Sequence, residues 1–415
     1  MKPFFQKLLI FLLLCACSSG LLAQDETIQT LHQRLKNPEI SAETMAQIYR
    51  QLTHLYAKQQ DYAAALEAAQ KEADLQSKAK DKEKFAEVCF NIASLHRTLV
   101  AYSKALIWGK KALAIYTTTL GKHHVESLNL CRFLAQTYYL QENYTAAAEL
   151  SLETILACQK ANKRQPTTEI ELRILLGSIY VNLGQYSKAQ GHLLDAKNLY
   201  ETFASSVSKE LLPRIYTNLA ALKLQQQATL EALAYHQKIA AIRKTQWHEN
   251  HFSLHTTYAN IGNCYYQLGN YQKALNYHYK TLYILQRTYQ KKHPLIASSH
   301  NYIGGTFQYL EEPDSAYTHL QKSINIYQDL FGAKHPKTIA PLWRLAKLHR
   351  QQKAYKKSEQ ILNKIIQLQE KHFGLQHPDL AKMYLDMAYL FQAQNLATQA
   401  NYYVQKAYQS NLLKK

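Results

Sequence analysis

Turn-forming residues and acids are what this 415-residue chain has least of: 12 glycines, 9 prolines, and 30 acidic residues against 49 lysines and arginines. So few turn formers exclude a many-stranded β-protein, whose hairpins depend on them. Disorder is excluded too, because 47% of the residues are hydrophobic. Beyond residue 24 there are four cysteines, Cys89, Cys131, Cys158 and Cys264, and none sits in a C-x-x-C pair; no spacing demands a disulfide. The chain has no glycine-rich phosphate loop, no nucleophile elbow and no carboxylate pair in a catalytic context. His248-Glu249-Asn250-His251 has its histidines three apart, not the four a zinc-protease motif needs. His251 and His255 are four apart, a spacing that serves a capping or solvated role as well as a casual metal site.

What is abundant is tyrosine, with 31 copies, alongside alanine, leucine and glutamine. That mixture suits helices packed through small–aromatic contacts. The start, MKPFFQKLLIFLLLCACSSGLLAQ, reads as a signal peptide. Lys2 and Lys7 form its charged end, Leu8–Cys17 its apolar run and Ser18–Ala23 its small-residue tail. The run is about half the ~20 residues of a membrane span, and no later stretch is apolar enough for one. Cleavage after Ala23 leaves a free exported chain. The alternative is Leu14-Cys15-Ala16-Cys17, which resembles a bacterial lipobox and leaves Cys17 acylated. The formal charge of +19 falls to +17 without the two leader lysines, and a basic surface favours acidic peptides, anionic membranes or nucleic acid. Export disfavours nucleic acid, and a solvated lysine-rich helical exterior accounts for the charge without any partner.

A period of about 42 residues organises the rest. YRQLTHLYAKQQDYAAA from Tyr49, CRFLAQTYYLQENYTAA from Cys131, RILLGSIYVNLGQYSKA from Arg173 and ANIGNCYYQLGNYQKAL from Ala259 share one skeleton. An apolar residue precedes a small one, an aromatic follows three later, then a break, a tyrosine and an alanine. This arrangement resembles the tetratricopeptide repeat, with an apolar residue at slot 7, a small one at slot 8, Tyr at 11 and 17, and Ala at 20. Anchored on slot 20, nine repeats run through Ala65, Ala105, Ala147, Ala189, Ala232, Ala274, Ala316, Ser358 and Ala400. Slots 4, 7, 8 and 11 have the i, i+3, i+4, i+7 spacing of one helix face. Cys89 and Cys131 both fall at slot 4 and read as core residues. Gly184 and Gly269 sit at slot 15, where the first helix must stop. The Tyr-x-x-Ala pairs argue against HEAT or armadillo repeats of similar length.

The 42-residue form, with Gly-x-x-His-Pro at its boundaries, resembles the repeats of kinesin light chain and of many exported bacterial proteins. GAKHPKTIAPLWRLAKL from Gly332 and GLQHPDLAKMYLDMAYL from Gly374 show it twice at one spacing. Proline suits the first turn of a helix and pushes the residue before it out of the α region. His293-Pro294, His335-Pro336 and His377-Pro378 therefore read as helix starts, with the imidazole either hydrogen-bonded to a free N–H or stacked on the preceding repeat. A histidine ladder binding metal is the other reading, disfavoured because boundaries lie about 10 Å apart.

The resemblance implies an all-α, right-handed superhelical solenoid of about nine helix hairpins. Residues 1–23 form the signal peptide, 24–40 a leader or capping helix, 41–412 the array and 413–415 a tail. No protease-like or kinase domain of the kind that follows some such arrays is expected after Asn411. The resemblance also implies a concave groove lined by slots 2, 5, 9, 12 and 13 of the first helices. These slots hold Arg50, Lys58, Arg97, Arg132, Arg214, Lys347, Arg350 and Lys382, opposed by Glu87 and Glu171. Repeats six and seven offer Thr256, Ala259, Asn263, Tyr266 and Gln267, then Ser298, Asn301, Gly305, Gln308 and Tyr309. Asn91, Asn218 and Asn260 occupy slot 6, where kinesin light chain repeats carry an asparagine.

The function expected is a non-enzymatic interaction scaffold, without cofactor or metal, binding a peptide or partner tail that includes acidic groups. Its binding residues are expected among Arg132, Arg214, Asn260, Asn263, Tyr266, Asn301, Tyr309, Lys347 and Arg350. The alternatives are a sensor or adaptor subunit of a bacterial envelope complex, mating through its convex face or a capping helix, and a module accompanying a separate catalytic chain. The localisation expected is periplasmic or secreted, or lipid-anchored at Cys17.

Overall fold

A computed structural model describes residues 27–289, 292–374 and 377–412; the signal peptide, Cys17 and the tail 413–415 lie outside the described residues. Helices account for 81% of the described residues, and no strand occurs among them. The first helix, α1 (Ile28–Leu35), precedes nine helix hairpins. These are α2 (Ala42–Lys58) with α3 (Tyr62–Gln76), α4 (Lys82–Thr98) with α5 (Tyr102–Thr119), α6 (Val125–Leu140) with α7 (Tyr144–Lys160), and α8 (Pro166–Asn182) with α9 (Tyr186–Thr202). They continue with α10 (Leu211–Gln225) and α11 (Thr229–Gln246), α12 (His255–Gln267) and α13 (Tyr271–Thr288), and α14 (Pro294–Tyr309) and α15 (Pro313–Phe331). The last are α16 (Ile339–Gln351) with α17 (Tyr355–Phe373) and α18 (Pro378–Gln392) with α19 (Ala397–Leu412). The chain divides into two compact units: unit 1 up to Asn218, unit 2 from Leu219.

Every hairpin turns the same way. The slot-15 residue has φ between 58° and 75° in all nine: Gln60, Val100, Glu142, Gly184, Gln227, Gly269, Glu311, Lys353 and Asn395. The next residue's N–H then bonds back five residues, as in Asp61 N to Tyr56 O (2.9 Å), Asn143 N to Tyr138 O (3.0 Å) and Ala354 N to His349 O (2.8 Å). This is the Schellman arrangement, which satisfies carbonyls left free at a helix end. That same next residue is the N-cap of the second helix; Asp61, Asn143 and Asn270 cap it with their side chains. One short turn thus closes one helix and opens the next.

The packing follows the slots. Slot-20 alanines from Ala65 to Ala316 are fully buried, and Ser358 takes the same seat with its hydroxyl donating to Ala346 O at 2.8 Å. Slot 8 faces slot 24 across the hairpin where slot 8 is glycine, at Gly177, Gly262 and Gly304. A Cβ on Gly262 would stand 2.7 Å from the His278 ring, so the glycine leaves the imidazole its room there. Gly304 admits Leu320 in the same way, at 2.8 Å. In unit 1, Leu31 of α1 is buried with Ile48, Leu52 and Ala68, covering the outer side of the first hairpin. The four cysteines are free; Cys89, Cys158 and Cys264 are buried and Cys131 half-buried, and burial pushes their thiols up to between about 11 and about 12. They act as small apolar residues.

The three His-Pro boundaries, and the His251-Phe252 boundary with them, combine both roles considered for the imidazole. His251, His293, His335 and His377 are N-caps, and each Nδ1 accepts the N–H two residues on, at 3.2, 3.2, 3.2 and 3.3 Å. Each ring also lies against the aromatic four residues earlier. Trp247–His251 stack at 4.1 Å, Tyr289–His293 at 3.6 Å and Phe331–His335 at 4.7 Å, while Phe373 and His377 meet tilted at 4.7 Å. In unit 1, His124 caps α6, its Nδ1 accepting the Glu126 N–H at 3.4 Å.

Candidate interaction face on the first helices

Repeats six to eight, within unit 2, bring amide and aromatic side chains together. Tyr266 (slot 12 of α12) and Tyr309 (slot 13 of α14) meet edge to face at 5.4 Å, and Tyr271 stacks on Tyr309 at 4.9 Å. Tyr309 remains 55% exposed. Arg344 of α16 reaches back past α14 to this group, with Nη1 3.4 Å from the Tyr266 hydroxyl and its guanidinium 5.8 Å from the Tyr266 ring centre. It passes over Gly305, where a Cβ would stand 1.9 Å from Arg344 Nη1. Asn301, one turn before Gly305 on α14, is 9% exposed, and its buried Oδ1 has no hydrogen-bond partner among the described residues. Asn260 and Asn263 are half-buried on α12 and make no side-chain hydrogen bond among the described residues. Gln308 Nε2 donates to Gln351 Oε1 at 2.6 Å, joining neighbouring first helices.

The basic residues singled out from the sequence are arranged differently from the amides. Arg132 and Arg214, in unit 1, share one acid: Arg132 Nη1 lies 2.6 Å from Glu171 Oε2 and Arg214 Nη1 2.6 Å from Glu171 Oε1. Lys347 and Arg350 stand 3.9 and 3.6 Å from Asp386 Oδ1. Asp386 is 6% exposed and also accepts from Trp343 Nε1, while Lys347 Nζ sits 3.7 Å above the Trp343 ring. Burial holds Lys347 below the usual lysine range, against the pull of Asp386. Arg50 of α2 is paired as well, with Glu72 at 2.8 Å and Glu87 at 3.1 Å. The face is therefore less basic than a count of slots 2, 5, 9, 12 and 13 makes it. Asp386 lies at slot 6, outside that count. Arg344, Trp343 and Tyr271 were also outside the residues singled out. Their signal was the 42-residue offset that places Arg344 and Asp386 at the slot held elsewhere by Asn218 and Asn260.

Among the described residues, no group of three or more His, Cys, Asp or Glu side chains is arranged to hold a metal ion, and no helix is long and apolar enough to cross a membrane.

Residues 211–371 match the tetratricopeptide repeat model in three overlapping segments, 211–285, 253–329 and 295–371; these residues are tetratricopeptide repeats. No curated protein matches the chain. Among solved structures, the chain is similar to a STAND protein with a tetratricopeptide repeat sensor from Pyrococcus horikoshii, at 15% identity and a TM-score of 0.60, over 90% of this chain and 54% of that one. It is similar to a Rap protein complexed with Competence and Sporulation Factor, at 13% identity and a TM-score of 0.51, over 89% of this chain and 97% of that one. Repeats of a Podosopora anserina putative kinesin light chain match at 18% identity and a TM-score of 0.43, over 51% of this chain and 99% of that one.

Proposed function

We propose that this protein is a non-enzymatic interaction scaffold that holds an extended peptide, or the tail of a protein partner, against the first-helix face of its hairpins. The observation that carries the reading is the unpaired, buried Oδ1 of Asn301 beside the Tyr266–Tyr309–Arg344 cluster. A buried acceptor left without a donor costs about 1–3 kcal/mol. A backbone N–H of an extended ligand supplies that donor, and the exposed Tyr309 ring offers contact area at little cost in side-chain entropy. Asn260 and Asn263 add free amides on the neighbouring helix. Lys347 and Arg350, held around Asp386, contribute a mixed-charge rim. The Rap structure is a complex with Competence and Sporulation Factor, which accords with a ligand-holding array. The basic, short-run start of the chain supports export, as a free periplasmic or secreted protein or one acylated at Cys17.

The test is selection of peptides from a random displayed library against the full chain. Tyr309→Ala and Asn301→Leu, which removes the acceptor, are expected to weaken the selected peptides at least tenfold. Tyr283→Ala, on the exposed side of the second helix α13, is expected to leave them unchanged. The opposite pattern would favour the adaptor reading, in which the second-helix face meets another subunit.

A further inference from the structure

Unit 2 contains a hydrogen-bonded relay that runs from its surface to a cavity. His300, at slot 4 of α14, and His319, at slot 23 of α15, face each other inside the seventh hairpin, Nδ1 to Nδ1 at 3.0 Å. His319 Nε2 lies 3.2 Å from the hydroxyl of Tyr279 on α13, a residue 39% exposed. His300 is 6% exposed, and its Nε2 makes no hydrogen bond among the described residues. The same ring is part of the wall of a cavity of about 560 Å³ between α13, α14 and α15, a volume in the usual range for small-molecule sites. Ile296 and Ile326 form the cavity's apolar side, and Gln286, Lys322 and Asn325 its polar side. Asn325 Oδ1 accepts from Gln321 Nε2 at 2.8 Å, which leaves the Asn325 amide N–H groups as donors. Lys322 is exposed and forms no ion pair among the described residues, and none of the described residues lining the cavity is an acid.

We propose that this cavity binds a small amphipathic molecule, a monocarboxylate with an apolar body, and that the Tyr279–His319–His300 relay turns a proton towards its head. Burial pulls both imidazoles down to about 4, so both are neutral at neutral pH, and each then carries its proton on one nitrogen only. The relay therefore has two arrangements with the same number of protons. In one, His300 Nδ1–H donates to His319, His319 Nε2–H donates to Tyr279, and His300 Nε2 is bare. In the other, the Tyr279 hydroxyl donates to His319 Nε2, His319 Nδ1–H donates to His300 Nδ1, and His300 Nε2–H is left to donate. Only the second arms His300 as a donor, and its bonds all run the same way, so each polarises the next. Lys322 and the amides of Gln286 and Asn325 supply further donors, and a carboxylate head accepts from all of them while its charge strengthens each bond. Ile296 and Ile326 take the apolar body, whose removal from water favours binding. The ligand is a small molecule and not a peptide, and its contacts are separate from the Asn301, Tyr309 and Arg344 cluster. Tyr279 is a positioning residue: it acts on the ligand through the two imidazoles.

The experiment titrates the full chain with benzoate, phenylbutyrate and octanoate, and with acetate, phenylbutanol and inorganic phosphate as counterparts, followed by calorimetry and by nitrogen NMR of the histidine rings. At least one of the three longer carboxylates is expected to bind at least tenfold more tightly than any counterpart. With it bound, His300 is expected as the Nε2–H tautomer and His319 as the Nδ1–H tautomer. Lys322→Met is expected to lower its affinity at least fivefold and Tyr279→Phe at least threefold. Tyr279 does not line the cavity, so a loss there reports the relay and not a missing contact. Both side chains are exposed, so both variants should fold. Lys364→Met, the same charge change at an exposed position of α17, is expected to change affinity less than twofold. The proposal is overturned if none of the three carboxylates binds at millimolar concentration, or if acetate, phosphate or phenylbutanol binds as tightly as they do. It is overturned equally if the Lys322 and Tyr279 variants bind as the parent does, or if His300 keeps its proton on Nδ1 in the complex. Any of these leaves the peptide selection on Asn301 and Tyr309 unaffected, so the two readings fail separately.

Discussion

Replacing His278 by leucine should stabilise unit 2 in mild acid and do little at neutral pH. His278 sits at slot 24 of repeat six, 2% exposed, against Gly262. Its ring stacks on Tyr302 at 5.5 Å and its buried Nε2 has no partner among the described residues. Burial, aided by the nearby Arg344, pulls its pKa down from 6.5 to about 4. The folded chain therefore keeps His278 neutral where the unfolded chain protonates it. Between pH 6.5 and 4 the unfolded state binds more protons, so this contribution to stability is complete above about pH 6.5 and is lost as the pH falls towards 4. Each pH unit in that window is worth about 1.4 kcal/mol, which makes the loss about 2 kcal/mol at pH 5. Leucine already fills the same seat opposite Gly304, as Leu320, and opposite Gly177, as Leu193, so His278→Leu should fit. Urea unfolding at pH 7.5 and pH 5 measures the effect. The expected result is a gain of about 2 kcal/mol at pH 5 over whatever the variant gains at pH 7.5. An equal gain at both pH values would refute the argument, because it would show that the imidazole does not resist protonation in its seat. His236, His300 and His319 are also pulled down to about 4 by burial, and all lie in unit 2, so the parent should lose unit 2 before unit 1 on acidification.

Val100 carries φ +61° at its hairpin turn; Val100→Gly should relieve about 1–2 kcal/mol of strain against a glycine entropy cost of about 0.5–1 kcal/mol, giving a small rise in the urea midpoint. Gly262→Leu should overpack the His278 seat and cost about 1–3 kcal/mol, read as a lower melting temperature with the helix content retained. His335→Ala should cost about 1 kcal/mol through the lost N-cap while His335→Asn should retain most of the stability, both measured by thermal melts. Intact mass of the protein recovered from a bacterial envelope should show a start at Gln24 or Asp25, or a lipid-bearing Cys17 lost on Cys17→Ala; a start at Met1 would count against export.

The hairpins were legible because slots 7, 8, 11 and 20 are a one-dimensional pattern: helical spacing decides which residues share a face, and small residues mark where helices touch. The turn at slot 15 was legible only at Gly184 and Gly269. Glycine announces a left-handed residue, whereas Val100, Glu142 and Lys353 adopt the same φ without any compositional sign. At the boundaries the proline marked the helix start, but the imidazole's double role depended on an aromatic four residues upstream that belongs to the preceding helix. The candidate face was legible in composition and not in pairing. Glu171 can be counted as one acid, but only the side-chain geometry shows that both its oxygens are taken. Arg344 meets Tyr266 two repeats back because Gly305 leaves a gap, and no rule about neighbouring slots anticipates that contact.

The uniform hairpin turn has a mechanical consequence. Each turn is a closed loop of backbone hydrogen bonds shared by the end of one helix and the start of the next, so a pulling force meets no gradual way to open it. The weaker places are the segments between hairpins, where the chain is held by a cap and a ring contact. Drawn out by its ends, the array should yield in discrete steps, one hairpin at a time, each releasing about 42 residues and lengthening the chain by about 140–150 Å. The protein would then behave as a ratcheted tether, whose extension under load is set by the repeat length written in its sequence.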